Sequence, residues 1–204
     1  MTILLLARHG EVKGIDPPTF RGRLDLHLTE SGIRQAHALA KAIARVRGVQ
    51  ALFSSPARRC VDTAAFIGSA LGYPVQTLPA LQDIDFGTWQ GLSHEEVRTR
   101  WPQQWQRWCN APQLASIPQA ETLQEALARV SGVMRELLAR HHGQTIVVVA
   151  HDSINRILLC HLLDISLSHY GSLQQDPCCI NRLQIDHDRT TLLSLNETGH
   201  LHRH

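Results

Sequence analysis

Residues 1–11 read MTILLLARHGE, and the apolar run 3–7 is followed at once by Arg8, His9 and Gly10. Apolar side chains at every position are typical of a strand that is buried on both faces of a parallel or mixed sheet. Open α/β folds bind their ligands at the carboxyl edge of such a sheet. The arginine and the histidine therefore either begin an ordinary solvated loop or lie in a ligand site, and the rest of the chain has to distinguish these alternatives.

The same order of strand, polar turn and helix recurs further along the chain. Breakers and caps predict a loop over 11–28, a helix from Thr29 to Gly48, a strand over 51–54 and a helix from about Pro56 to Gly72. Capping-box patterns at Ser93 and Thr122 predict a short helix near Trp101 and a long helix to about Arg140. We expect an irregular segment between these two helices.

A second strand that ends on a histidine completes the pattern. Residues 145–150 read TIVVVA, precede His151 and are followed by a helical stretch through Leu163. Residues 179–186 and 191–196 alternate well enough to be two more strands. We expect residues 1–204 to form one α/β domain, a three-layer sandwich with a mostly parallel central sheet flanked by helices. Residues 93–121 are expected to form a lid-like helical insertion.

Composition excludes several classes of function. The 204 residues carry 20 Lys and Arg and 18 Asp and Glu, for a formal net charge of +2. The scattered basic residues form no stripe for nucleic acid, and no apolar run is long enough to cross a membrane. The five cysteines are odd in number and form no CxxC, which favours reduced thiols and a cytoplasmic location. The oligomeric state is left open, with a homodimer as one option.

The side chains expected at the carboxyl edge of the sheet share one sign of charge. They are Arg8, His9, Arg21, the pair Arg58 and Arg59, and His151. Cationic donors that converge without matching carboxylates are costly unless an anion joins them, and guanidinium groups match phosphate oxygens. The implied ligand is a phosphate monoester. Nearby arginines would keep His9 unprotonated and available as a nucleophile.

Four motifs occur in an order that resembles the histidine phosphatase superfamily, which has the phosphoglycerate-mutase-like fold. They are ARHGE (7–11), SSPARRCVDTAA (54–65), LQDIDFGTWQG (81–91) and VVVAHDSINR (147–156). The resemblance implies that His9 becomes phosphorylated while Arg8 and Arg59 hold the phosphoryl oxygens. The family pattern favours Arg59 over Arg58, which becomes a solvated neighbour. It also makes His151 the second family histidine, which donates to the transferring group.

The resemblance implies further contacts to the substrate. Gly10, Arg21, Gly22 and Asp152 are expected to bind it, and His200, in the LNETGHL segment (195–201), is a weaker candidate. Ile15 departs from the family, because many relatives have an asparagine near the phosphate there.

The proton donor is the second departure from the family pattern. Relatives usually carry glutamate at the position aligned with Asp83, and an aspartate is one methylene shorter. Asp83 must therefore lie closer to the leaving oxygen, and burial must raise its pKa, if it is to act as a general acid near neutral pH. Asp85 is the alternative, and we interpret it as structural.

We expect neither a metal nor a cofactor. His141, His142 and the histidine-rich C-terminus 200–204 lack the partners and spacing of a metal site, so 200–204 is interpreted as a tail. Trp101, Trp105 and Trp108 are expected to pack in the core or the lid.

The expected activity is that of an enzyme, a metal-independent phosphomonoester hydrolase acting on a small molecule through a phosphohistidine intermediate. Phe86 and Trp89 resemble the phosphatase branch of the family, which includes alpha-ribazole phosphatases and metal-independent phosphoserine phosphatases. One alternative is phosphoryl transfer of the phosphoglycerate mutase type. Another is a phosphate-binding regulatory module without turnover, which the retained His9, Arg8, Arg59 and His151 disfavour.

Overall fold

The computed structural model describes residues 1–186 and 189–202, and its centre is a six-stranded mixed sheet. The strands are β1 (Thr2–Arg8), β2 (Val49–Ser54), β3 (Gln76–Thr77), β4 (Thr145–Ala150), β5 (Ile180–Asp186) and β6 (Arg189–Glu197). The helices are α1 (Glu30–Ala44), α2 (Arg58–Leu71), α3 (His94–Arg100), α4 (Pro102–Asn110), α5 (Leu123–Arg140) and α6 (Asp152–Leu162). Short 3-10 turns lie at Pro79–Leu81, Gly87–Trp89, Pro112–Leu114 and Leu167–Ser172.

The strand order is β3-β2-β4-β1-β5-β6. The pairings among β1, β4, β2 and β3 are parallel, whereas β5 and β6 add two antiparallel pairings at one side. Arg8 is in register with Ala150, and the amide of His9 donates to the Ala150 carbonyl at 3.0 Å. The ends of the two central strands therefore place His9 and His151 side by side.

Two separate hydrophobic cores bury the two faces of the sheet, and β1 contributes to both. Leu4 and Leu6 pack with residues of α5 and α6, while Leu5 and Ala7 pack with residues of α1 and α2. Successive side chains of a strand point to opposite faces, so a strand covered on both faces must be apolar throughout. The predicted sandwich of helix, mostly parallel sheet and helix is confirmed.

Most predicted helix ends are confirmed by their caps. The Thr29 hydroxyl accepts from the Gly32 amide at the start of α1, and Gly72 ends α2 in the left-handed conformation. Ser93 and Thr122 both form complete capping boxes. The irregular segment predicted between α3 and α5 is wrong in part, because it contains the nine-residue helix α4.

The region 93–121 packs through its tryptophans. Trp101, Trp105 and Trp108 are partly buried against the core on the α5 and α6 side of the sheet, so the prediction that they serve packing is confirmed. No helix of residues 1–186 and 189–202 has the length and apolar character needed to cross a bilayer. Arg203 and His204 of the expected C-terminal tail lie outside the described residues.

Candidate active site

A cavity of about 240 Å³ opens at the carboxyl edge of the sheet, where β1 and β4 end. The predicted site residues that line it are Arg8, His9, Arg21, Gly22, Asp83 and Asp152. Arg59 and His151 lie directly behind them, each at most 1% exposed, and both contact Asp83. The ends of β1 and β4 thus position His9 and His151, and the first turn of α2 positions Arg59.

His9 has one ring nitrogen with a proton and one without. Its Nδ1 donates to the Gly10 carbonyl at 2.7 Å, so the proton of the neutral ring lies on Nδ1. Its Nε2 accepts from Arg59 Nε at 3.3 Å. Burial, followed by the charges of Arg59 and Arg8, lowers the pKa of His9 well below its ordinary value. Nε2 is therefore unprotonated at neutral pH, and it can attack a substrate once its hydrogen bond from Arg59 is given up.

Arg59 connects the nucleophile, the acid and the loop over the cavity. Besides its contact with His9, its Nη2 donates to the Gly22 carbonyl at 2.7 Å and to Asp83 Oδ2 at 3.1 Å, and its Nη1 donates to the Leu24 carbonyl at 2.8 Å. The side chain of Arg58, in contrast, is 52% exposed and lies 3.7 Å from Asp25. Only the second arginine of the pair reaches the site.

Asp83 is buried beside cations, and its pKa is nevertheless raised. Its Oδ1 accepts from the Ile84 amide at 3.0 Å, and its Oδ2 lies 3.6 Å from His151 Nδ1. Burial raises the pKa of Asp83 above its ordinary value, although Arg59 acts to lower it. A carboxyl group with a raised pKa at the cavity wall is suited to donate a proton.

Asp85 is placed differently from Asp83, and its contacts are structural. Its Oδ1 accepts from the Gly87 amide at 2.9 Å, and its Oδ2 lies 3.5 Å from Arg23 Nη1. It does not line the cavity.

His151 lies with its ring centroid 5.4 Å from that of His9. Its Nε2 hydrogen-bonds to Ser55 Oγ at 2.8 Å, and the residue immediately precedes α6. Burial, followed by the charge of Arg59, lowers its pKa well below the ordinary value. Asp152 and Ser153, in the first turn of α6, line the cavity, so the amino end of this helix, which bears partial positive charge, faces it.

Arg8 has a donor group that the described residues leave free. Its Nη1 donates to the Gln175 carbonyl, whereas its Nε is buried without a partner among these residues. A buried cationic donor at a cavity wall suits an anionic ligand, because an unmet donor costs about 1–3 kcal/mol. Arg21, whose Nη1 donates to the Gly14 carbonyl at 2.6 Å, adds a second cation to this wall.

The structure does not bring Gly10 and His200 to the cavity wall. The Gly10 amide donates to Thr63 Oγ1 at 3.0 Å, and a Cβ at this position would lie 2.6 Å from the Gly32 carbonyl oxygen. Gly10 thus orients His9 instead of lining the cavity. His200 lines a separate cleft beside α1, where its Nε2 donates to the Cys178 carbonyl at 3.0 Å. We therefore do not include His200 in the site.

The outer part of the cavity is aromatic and carries one ion pair. Phe20, Phe86, Trp108 and Tyr170 form its apolar walls, and Ile15 adds a further apolar side chain. Arg156, which the sequence reasoning missed, donates to Asp152 Oδ1 at 2.5 Å and lies over the Tyr170 ring. Its position four residues after Asp152 on α6 is the signal that could have identified it.

The arrangement combines a neutral imidazole, a buried carboxyl group and several arginines around one small cavity. Among the described residues, no group of three or more His, Cys, Asp or Glu side chains could hold a metal ion. The chemistry that these groups can perform themselves is attack by His9 on phosphorus, with arginine donors on the phosphoryl oxygens.

Comparisons with known proteins agree with this chemistry. A family model described as "Histidine phosphatase superfamily (branch 1)" matches residues 4–198. The chain is 33% identical over 201 residues to phosphoserine phosphatase 1 of Hydrogenobacter thermophilus, covering 98% of this chain and 95% of that protein. It is 32% identical over 201 residues to a bifunctional protein of Mycobacterium tuberculosis, and there it spans only 55% of the relative's length. A mutant phosphoserine phosphatase of Entamoeba histolytica in complex with phosphoserine superimposes with a TM-score of 0.89 at 26% identity, covering 98% and 100% of the two chains.

Proposed function

The chain belongs to the histidine phosphatase superfamily, and from this we propose that it hydrolyses a small phosphate monoester through a phosphohistidine on Nε2 of His9. One observation carries the proposal. A neutral imidazole, with its proton on the far nitrogen, lies beside a buried carboxyl group whose pKa is raised. Both pKa shifts favour the protonation states that the first step needs, a neutral imidazole and a protonated carboxyl group.

The first step transfers the phosphoryl group to the enzyme. Nε2 of His9 attacks phosphorus, the bond between phosphorus and the ester oxygen breaks, and Asp83 gives its proton to the departing alkoxide. The buried Nε of Arg8 and the guanidinium of Arg59 are the donors for the phosphoryl oxygens. Such donors, already in place, stabilise the charge that develops in the transition state.

The second step returns the enzyme to its starting state. Water attacks phosphorus, the Asp83 carboxylate accepts a proton from that water, and the bond between phosphorus and Nε2 breaks. Inorganic phosphate leaves, His9 is neutral again and Asp83 is again protonated. We propose that no metal takes part, since the arginines supply the positive charge that a metal would bring.

The substrate we propose is of amino-acid or sugar-acid size. The cavity volume of about 240 Å³ lies below the range of about 300–1,000 Å³ that is usual for pockets that bind drug-sized ligands, which supports a small ester. The outer ion pair between Asp152 and Arg156 offers both an acceptor and a donor to the leaving group. The phosphoserine phosphatase names of the relatives make phosphoserine the first ester to test.

The test is a panel of phosphate monoesters ranked by kcat/KM, with phosphoserine, phosphoglycerates and alpha-ribazole phosphate in it. We expect release of inorganic phosphate and a phosphoenzyme that is labile to acid and stable to base. Isomerised phosphoglycerate in place of inorganic phosphate would favour the mutase reaction. Binding of esters without any turnover would favour a regulatory module and contradict the proposal.

We further propose that residues 1–204 act as one domain in which 93–121 is the lid over the cavity. His94 and Trp108 belong to this segment and line the cavity, which supports the proposal. If segment 93–121 is held in one position, the substrate should enter the cavity more slowly, while the rate of phosphoryl transfer to His9 should not change.

Two finer proposals concern the protein's surroundings. All five cysteines are free thiols, which supports a cytoplasmic location.

The edge strand β6 exposes Leu193 and Leu195, at 52% and 37%, which supports a homodimer that analytical ultracentrifugation would detect.

A further inference from the structure

Arg129, on α5, holds three backbone carbonyls of the short segment that carries the proton donor. Its Nη1 donates to the carbonyls of Ala80 and Gln82, each at 2.7 Å, and its Nη2 donates to the carbonyl of Asp83 at 3.3 Å. Arg129 does not line the cavity, and its side chain is 22% exposed. One partly buried guanidinium therefore holds three carbonyls within the four residues 80–83, next to the site.

The same guanidinium is held in place by a carboxylate. Arg129 Nε and Nη2 donate to the two oxygens of Glu121 at 2.5 and 2.7 Å, in the bidentate geometry that gives both strength and direction. Arg23 joins from the other side, with Nη2 3.6 Å from Glu121 and Nε donating to the Asp83 carbonyl at 3.4 Å. We call Arg23, Glu121 and Arg129 the Arg129 network.

The backbone around Asp83 lies outside the helices and strands. Residues 82–86 lie between two 3-10 turns and belong to no helix or strand, so no ladder of backbone hydrogen bonds sets their position. The position of the backbone matters more for an aspartate than for a glutamate. The aspartate side chain has one fewer rotatable bond, so it is less able to compensate for a displaced backbone. The position of the Asp83 carboxyl group is therefore set by the position of its backbone.

The Arg129 network also reaches the segment that covers the cavity. Glu121 ends the segment 93–121, and its amide donates to the Asp85 carbonyl at 2.9 Å. The chain is thus tied to Glu121 on both sides of Asp83, directly through Asp85 and through Arg129 at residues 80–83.

We infer that Arg129 is a positioning residue for the proton donor, because it holds the backbone of 80–83 where the Asp83 carboxyl group reaches the leaving-group oxygen. This inference rests on the proposed function, in which Asp83 is the general acid. Arg129 acts through Asp83 and touches neither the substrate nor the phosphoryl group. Its loss should therefore matter most for esters whose leaving group needs a proton.

The experiment compares Arg129→Met and Arg129→Lys with Arg135→Met, an exposed arginine on the same helix. The measured quantity is kcat/KM for the best aliphatic ester of the panel and for para-nitrophenyl phosphate. A displacement of about 1 Å can cost about 10²-fold in rate, so Arg129→Met should lose about 10²-fold on the aliphatic ester. The loss should be much smaller on para-nitrophenyl phosphate, because its leaving group needs little protonation.

The controls separate positioning from simple destabilisation. Arg129→Lys keeps the charge but not the bidentate fork, so its loss should lie between those of wild type and Arg129→Met. Arg135→Met should match wild type on both esters. Equal losses on the two esters in Arg129→Met and Arg129→Lys would assign Arg129 a structural role and overturn the inference. A wild-type protein that hydrolyses neither ester would instead refute the proposed function, and the inference with it.

A second readout does not depend on turnover. Asp83 faces Arg59, Arg21, Asp152 and His151, and burial among them raises its pKa. If the segment moves outward when Arg129 is replaced, the pKa of Asp83 should fall toward its ordinary value, as carbon-13 NMR of the carboxyl group would record. The Arg135→Met variant should titrate like wild type. An unchanged Asp83 titration in folded Arg129→Lys and Arg129→Met proteins would contradict the inference.

Discussion

Arg58 and Arg59 are adjacent in sequence, and the structure predicts very different results when each is replaced by alanine. Arg59 is 1% exposed and contacts both His9 and Asp83, whereas the side chain of Arg58 is 52% exposed. Removal of one donor already in place for a transition-state charge costs about 10²–10³-fold in kcat. We expect at least this loss from Arg59→Ala and little change from Arg58→Ala.

The stability changes should follow the same contrast. Arg59→Ala leaves the carbonyls of Gly22 and Leu24 without their guanidinium donor. The buried Gly22 carbonyl would cost about 1–3 kcal/mol, and the partly buried Leu24 carbonyl would cost less. Arg58 has only its exposed pair with Asp25, and such pairs contribute about 0–1 kcal/mol.

The assay must separate lost chemistry from lost folding. Steady-state kinetics on the best ester of the panel would be measured well below the melting temperature of each variant, with circular dichroism as the check on folding. Arg59→Lys is a second variant that keeps the positive charge and loses the fork. If Arg58→Ala proves more damaging to kcat than Arg59→Ala, both the motif alignment and the assignment of the phosphoryl donors are refuted.

The remaining predictions concern the reacting groups, metals and pH. His9→Ala should abolish turnover and the acid-labile phosphoenzyme, and a phosphoenzyme that persists would move the nucleophile elsewhere. Asp83→Asn should lose about 10²–10⁴-fold on aliphatic esters and far less in the phosphorylation step with para-nitrophenyl phosphate, as measured by rapid quench. Asp85→Asn should change little, and a larger effect there would reassign the acid. EDTA should leave the rate unchanged, whereas loss of activity that magnesium or zinc restores would contradict the mechanism. The folded protein should lose stability as the pH falls below about 6.5, because His9 and His151 have pKa values well below that in the folded state and bind protons when unfolded. The raised pKa of Asp83 acts in the opposite direction, but it is one group against two. Each contributes up to about 1.4 kcal/mol per pH unit, and equal urea midpoints at pH 7.5 and 5.5 would contradict this.

The sequence predicts the parts of the site that regular structure delivers. An apolar run that ends on a polar residue indicates both a buried strand and its carboxyl end, so the meeting of His9 and His151 follows from two such runs. The choice of Arg59 over Arg58 comes from the family pattern that the sequence resembles, and in the structure only Arg59 of the two is buried at the site.

The features that the sequence could not predict depend on main-chain hydrogen bonds and on segments without a clear helix or strand signal. The helix α4 begins at Pro102, and its N-cap residue Trp101 forms no side-chain cap. Its start therefore lacks the capping box found at Ser93 and Thr122 and is marked by the proline instead. Arg8 and Arg129 contact the neighbourhood of the site through main-chain carbonyls, which every residue possesses. No residue type at positions 80, 82 or 175 indicates that a guanidinium will bind there.

Burial and the charge of Arg59 act differently on the pKa values of the two reacting groups, His9 and Asp83. Burial disfavours any charged form, so it lowers the pKa of the His9 imidazole and raises that of the Asp83 carboxyl. The charge of Arg59 lowers both pKa values, and it therefore supports the neutral His9 but opposes the protonated Asp83. Since the pKa of Asp83 is raised all the same, exclusion of water outweighs the charge of Arg59 at that position. The raised pKa of Asp83 therefore depends mainly on burial, whereas the lowered pKa of His9 is supported both by burial and by the charges of Arg59 and Arg8.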